Sequence, residues 1–140
     1  MPTNNTTTCV IGDIHGCHSS LVKLLEKVEH RADTLVFLGD YVDRGPHSKE
    51  VVATILTLAQ THPRVVTLMG NHDFLFLQYL TGGDSRLFLQ VGGLQTLESY
   101  NLSVAVTPAE RMHRIPSSHL AFFRSLSLFW EDRHALYVHA

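Results

Sequence analysis

Three apolar segments of this chain stop in the same way. Thr6 to Ile11 runs into Gly12-Asp13-Ile14-His15-Gly16, Leu35-Val36-Phe37-Leu38 into Gly39-Asp40-Tyr41-Val42-Asp43-Arg44-Gly45, and Val65-Val66-Thr67-Leu68-Met69 into Gly70-Asn71-His72-Asp73. Helical patterns separate them. Leu21, Leu24, Leu25 and Val28 follow a cap at Ser19 or Ser20, and Val51, Val52, Ile55, Leu58 and Ala59 lie between Pro46 and His62-Pro63. A β-α-β-α order predicts parallel strands, hence an α/β fold, and the carboxyl ends of parallel strands line one crevice. Polar residues distant in sequence then meet in space.

Two carboxylates and a guanidinium beside a buried strand call for a cation and an anionic ligand nearby. Taken alone, Asp40 to Arg44 reads as well as a solvated turn with an Asp cap. Asp13 and His15 sit two apart, so in extended chain both point to one side and can share an ion while Ile14 faces the core. That pair alone is also a plain polar turn. Three strand ends with glycine followed by metal-competent side chains favour one metal-binding crevice over three unrelated turns. A fourth end joins them: Leu126 to Glu131, the turn Asp132-Arg133, and Ala135-Leu136-Tyr137-Val138 read as a β-hairpin delivering His139.

The remaining segments read as cover for the sheet rather than as chemistry. Phe74 to Leu80 is apolar on nearly every side, which predicts a buried helix ending at Gly82-Gly83. Gly92-Gly93 precedes a short core helix carrying Leu94, Leu97 and Tyr100. Thr107-Pro108-Ala109-Glu110 has the capping-box form, and Pro116-Ser117-Ser118 starts a helix with Leu120, Phe123 and Leu126. Arg111, His113, Arg114 and His119 are expected at the surface, with Arg111 or Arg114 alternatively lining a substrate groove. Cys9 and Cys17 are too few and too far apart for a structural zinc site, so Cys9 is expected to pack and Cys17 to serve as a small loop residue.

Charge and length bound the partners. A formal net charge of -2 leaves no electrostatic footprint for nucleic acid or an anionic membrane. Met1 to Asn5 lack the basic and apolar regions of a leader, and no apolar run approaches membrane length, which predicts a cytoplasmic protein. The 140 residues predict a single domain over 1–140. An apolar strand reaching the last residue leaves an edge to be covered, so that domain is expected to be incomplete at its C-terminal end.

In their order and spacing, the glycine-led motifs at Gly12, Gly39 and Gly70, followed by Val138-His139-Ala140, resemble those of the calcineurin-like metallophosphoesterases. More narrowly they resemble the bacterial branch of the phosphoprotein phosphatase family of serine/threonine phosphatases. Gly92 to Tyr100 and the stretch from Ile115-Pro116 onward share the likeness. The resemblance implies the N-terminal portion of a β-sandwich flanked by helices, an α+β sandwich type of α/β fold. It implies two divalent metal ions, Mn²⁺ first and Fe or Zn²⁺ otherwise, which suits oxygen and imidazole ligands. Asp13 and His15 would hold the first metal, Asp40 would bridge, and Asn71 and His139 would hold the second. A water between the ions, acidified to hydroxide, would attack phosphorus in line. Arg44 would clamp phosphate oxygens with Asn71 and His72 also at the substrate, and His72 would protonate the departing alkoxide, oriented by Asp43.

Two departures from that family stand out. Asp73 replaces the usual Glu of the protein phosphatases, a mild change. A further metal-binding histidine and a phosphate-binding arginine, which the family takes from chain after His139, have no counterpart in these residues. The expected function is a metal-dependent phosphomonoester hydrolase, a serine/threonine protein phosphatase acting on a phosphoprotein or a small phosphate ester. One alternative is a symmetrical bis(5'-nucleosyl)-tetraphosphatase, a branch that shares Gly70-Asn71-His72-Asp73 but tends to lack an acid at Asp43 and an aromatic at Tyr41. Another is a non-catalytic fragment lacking the final metal ligand. Neither nucleic acid nor membrane is expected as a partner.

Overall fold

The computed structural model describes residues 6–140. Met1 to Asn5, on which the expectation about a leader rests, lie outside them. β1 (Thr8–Ile11), β2 (Thr34–Phe37) and β3 (Val65–Thr67) form a parallel sheet in the order β1-β2-β3. All four residues of the central strand β2 are buried, which is why it reads as an unbroken apolar run instead of alternating. Register pairs Ile11 with Phe37 and Phe37 with Thr67, so the strands end level and their loops open on one side.

Two crossover helices make the parallel order possible. α1 (His18–Val28) buries Leu21 and Leu25, and α2 (Ser48–Thr61) buries Ser48, Val51, Val52, Ile55 and Leu58. Each such aliphatic side chain removed from water contributes about 1.5–3 kcal/mol. α3 (Asn71–Leu80) starts directly at the third glycine-led motif. The chain continues through α4 (Arg86–Phe88), a π-helical turn (Leu89–Gly93), α5 (Leu94–Ser99), α6 (Pro108–Arg114) and α7 (Ser117–Ser125). Phe76 of α3 joins these elements, stacking on Phe88 and Tyr100 and meeting Phe123 edge-on. β4 (Phe129–Glu131) and β5 (Leu136–Val138) close as an antiparallel hairpin, its turn held by Asp132 Oδ1, which accepts the His134 and Ala135 N–H groups at 2.8 and 2.9 Å.

Several local expectations are corrected. α1 begins at His18 with Cys17 at the cap position and no side-chain cap, so neither Ser19 nor Ser20 serves there. Pro46 lies outside α2, which begins at Ser48. The apolar run of α3 is not buried all round: Asn71, Phe74 and Gln78, at i, i+3 and i+7, line an exposed face, and Phe74 is 48% exposed. Leu24 and Leu94 also face outward, because a short helix packs one face only and Leu21, Leu25 and Leu97 take it. The capping box at Thr107 is present, with Thr107 N–H donating to Glu110 at 2.9 Å. Among the expected surface residues, His113 and Arg114 are exposed, but His119 is buried, with Nδ1 2.8 Å from the Tyr100 hydroxyl. Arg111 is half-buried, its guanidinium 3.9 Å above the Tyr79 ring.

Candidate active site

The loops at the strand ends are built from backbone that ordinary residues avoid. Asp13, His15, Asp40, Asp43 and Arg44 all have positive φ, at 44°, 45°, 56°, 71° and 68°. Each such non-glycine position costs on the order of 1–3 kcal/mol and persists only where its surroundings fix it. Asp13 and His15 therefore reach the site from left-handed turns and not from the extended chain their spacing suggests. What fixes the turns is each other. His15 and Gly16 N–H donate to the Asp40 and Tyr41 carbonyls at 2.9 Å each, and Gly45 and His47 N–H donate back to His15 and Gly16 carbonyls at 2.9 and 3.1 Å. The first two loops can lie this close because Gly16 and Gly45 face each other, where a Cβ on either would strike the opposite backbone.

The third loop is tied in through a carboxylate. Asp73, with no exposed surface, accepts the N–H groups of Asp40 at 2.7 Å, Tyr41 at 2.9 Å and Gly70 at 2.9 Å. Burial pushes its pKa up to about 7, against those donors, which favour the ionised form. Tyr41 is buried as well, its hydroxyl donating to the Leu68 carbonyl at 3.0 Å, so the aromatic serves the core beneath the site.

The side chains expected at the site converge. Asp40 is common to two groups of ligand atoms, each lying within 4.8 Å: His15, Asp40 and His72 in one, Asp13, Asp40 and His139 in the other. Asp40 Oδ2 lies 3.4 Å from His15 Nε2 and 3.6 Å from His139 Nε2. Asn71 joins at the first turn of α3, with Oδ1 3.0 Å from His139 Nε2. His72 Nδ1 is 2.8 Å from Asp43 Oδ2, and its Nε2 is 3.3 Å from Arg44 Nη2. Asp43 is fully buried, which raises its pKa, while bonds from Thr96 and His72 oppose the rise.

The donor set fits a divalent ion. His15 Nδ1 donates to the Val42 carbonyl at 2.8 Å, which leaves a lone pair on Nε2, and that buried atom has no hydrogen-bond partner. His139 Nδ1 donates to the Leu38 carbonyl at 3.0 Å, so its Nε2 faces Asn71 Oδ1 as one acceptor facing another. Acceptors turned toward one another, with carboxylates of Asp13 and Asp40 beside them, are reconciled by a cation. Oxygen and imidazole donors suit Mn²⁺, Fe or Zn²⁺.

Sequence reasoning missed three contributors. Asp73, expected only as a mild replacement of Glu, anchors two of the loops. Thr96 and Gly92 lie in a stretch assigned to covering the sheet. Yet Gly92 accepts the Arg44 N–H at 3.1 Å, and Thr96 Oγ1 both accepts the Asp43 N–H at 2.8 Å and donates to Asp43 Oδ1 at 2.7 Å. The available signal was Gly92-Gly93 inside a helical pattern, which marks a close backbone approach: Gly92 sits at φ +113° against the Arg44 backbone.

An arginine in this position is suited to phosphate, and the donor set to divalent metal, so fold and site together define the metallophosphoesterase class. The chain belongs to the calcineurin-like phosphoesterase family, whose model matches residues 6–136. It is 41% identical over 78 residues to the symmetrical bis(5'-nucleosyl)-tetraphosphatase of Dechloromonas aromatica (strain RCB), covering 54% of this chain and 27% of that protein. A solved putative diadenosine tetraphosphatase is 25% identical, covering 92% of this chain and 46% of its own, with a TM-score of 0.58. The cold-active protein-tyrosine phosphatase of a psychrophilic Shewanella species shares the fold at 22% identity and a TM-score of 0.64, covering 96% and 42%. The match thus spans about a quarter of the length of the curated tetraphosphatase. Among the described residues no helix is long and apolar enough to cross a membrane.

Proposed function

We propose that this chain carries metal-binding residues of a hydrolase that cleaves a symmetrical dinucleoside tetraphosphate into two nucleoside diphosphates. The observation that carries the substrate is the sequence likeness to a symmetrical tetraphosphatase, at 41% identity over 78 residues. Support for the serine/threonine phosphatase expectation is at the level of the fold alone, and nothing supports a phosphoprotein substrate. The reading thus moves from protein phosphatase to small phosphate ester.

Asp13, His15, Asp40, Asn71 and His139 would hold two divalent ions, with Asp40 shared. When bound, such ions supply the Lewis acidity that polarises phosphate oxygens and acidifies water. The chain's own groups do the rest. Arg44 offers its guanidinium fork to the phosphate, and an incoming phosphate oxygen takes over the donor now facing His72 Nε2. His72, held by Asp43 through Nδ1, is then free to carry a proton at Nε2 toward the departing oxygen. Hydrolysis adds water across one P–O bond, the hydroxyl going to phosphorus and the proton to the leaving oxygen.

A second reading is favoured by the 2.8 Å contact of His72 and Asp43. A nucleoside diphosphate leaves without much help, whereas an alkoxide needs an acid, so a dyad this well built also suits a phosphomonoester. The test is turnover with Mn²⁺ of bis(5'-adenosyl) tetraphosphate, a phosphoserine peptide and p-nitrophenyl phosphate. Two equivalents of ADP per tetraphosphate, at a kcat/KM well above both esters, is the expected result. Faster hydrolysis of the phosphopeptide, or products other than ADP, would overturn the main reading.

A further inference from the structure

We propose that Thr96 is a positioning residue of this site: its hydroxyl locks the Asp43 carboxylate, and through it the His72 ring, in the orientation that proton transfer requires. The inference rests on the reading of His72 as the proton donor and goes beyond it, because Thr96 touches neither substrate nor the candidate metal ligands.

The geometry is closed on itself. Thr96 has no exposed surface, and its hydroxyl has one proton and two lone pairs. The proton goes to Asp43 Oδ1 at 2.7 Å, one lone pair takes the Asp43 N–H at 2.8 Å, and the Ser48 hydroxyl lies 3.2 Å away for the other. Asp43 is equally committed, with Oδ1 to Thr96 and Oδ2 to His72 Nδ1. Both its backbone and its carboxylate are therefore fixed by a single side chain from an element far along the sequence. That element is braced in turn. Gly92 takes the Arg44 N–H and Ser99 Oγ takes the Lys49 N–H at 2.8 Å, so the stretch from Gly92 to Ser99 is tied to the loop at Arg44 and to the first turn of α2 at Lys49, with Thr96 between.

A threonine kept only for packing would use its methyl group and would need one hydroxyl partner. Here the hydroxyl is spent twice on one residue, whose left-handed φ of 71° needs holding. Removing the hydroxyl leaves Oδ1 without its donor and lets the carboxylate turn, which takes Oδ2 away from His72. Arg44 N–H keeps its own acceptor at the Gly92 carbonyl, so the larger part of the defect falls on protonation of the leaving group.

The experiment compares Thr96→Val, Thr96→Ser and His72→Asn in the full chain with Mn²⁺, on p-nitrophenyl phosphate and on phenyl phosphate, whose leaving group is far more basic. Thr96→Val is expected to lower kcat on phenyl phosphate by about tenfold or more, within the usual range for general acid catalysis, with KM unchanged and little loss on the nitrophenyl ester. Thr96→Ser should restore both. A second readout is independent of turnover: the His72 Nδ1–H proton resonance in the Zn²⁺-loaded protein, slowly exchanging in the wild type and in Thr96→Ser, and lost in Thr96→Val. If Thr96→Val does not fold, Thr96→Ala is read in the same way. Retention of both the resonance and the leaving-group ratio without the hydroxyl would overturn the inference. If His72→Asn itself leaves the ratio unchanged, the reading of His72 as proton donor fails first, and the inference with it.

Discussion

A carboxylate with no exposed surface that accepts three backbone N–H groups is a structural rivet, and Asp73 has that form. Removing it strands three donors, each costing about 1–3 kcal/mol when left unpaired in the interior. Asp73→Ala is therefore expected to lose at least ~3 kcal/mol in urea unfolding, and Asp73→Asn, which keeps one acceptor oxygen, to lose less. A full loss in Asp73→Ala with none in Asp73→Asn would show that the side chain only fills space. The sequence announces Asp13, His15, Asp40, Asp43, Arg44, Asn71, His72 and His139 because such groups directly after apolar strands are chemically out of place. Asp73 and Thr96 are harder to read. An acid in the first turn of a helix and a threonine in a helix facing the core are ordinary, and their partners are fixed only once the loops have folded.

Among the elements, the end of α5 and helix α7 bring together Tyr100, expected in the core, and His119, which the sequence places at the surface. The buried Tyr100 hydroxyl lies 2.8 Å from His119 Nδ1. Burial, with the Lys49 charge adding to it, holds the His119 pKa below its ordinary value, and burial and Glu50 hold the Tyr100 phenol far above its own. The unfolded chain takes up this proton more readily than the folded one. His119 thus contributes stability that is full above pH about 6.5 and is lost as the pH falls below it. The unfolding midpoint in urea should drop between pH about 7 and about 5, and His119→Gln should flatten that slope; parallel curves for the two proteins would refute it. The strands and crossover helices were legible because their apolar spacing is the fold's own requirement. The exposed faces of Phe74, Leu24 and Leu94 were not, because a periodic pattern does not say how much of a helix its neighbours cover.

At the scale of the molecule, the candidate site is the junction of all the parallel strands and of the hairpin, so its occupancy bears on the stability of the whole. A ligand held by the folded chain alone stabilises it by about 2.7 kcal/mol at a hundredfold excess over Kd. Mn²⁺ is accordingly expected to raise the unfolding temperature, a chelator to lower it, and Asp40→Asn, which alters the residue common to both ligand groups, to abolish most of the shift. An unchanged unfolding temperature in the wild type would argue against the donor set. The loops that carry these groups are bonded chiefly to one another, His15 to Asp40, Gly45 to His15, Tyr41 to Asp73 and Arg44 to Gly92. Such a surface cannot be transplanted piecemeal: a single loop moved to another scaffold would leave behind the neighbours that give it its shape, and the smallest graft that keeps the chemistry is the whole face.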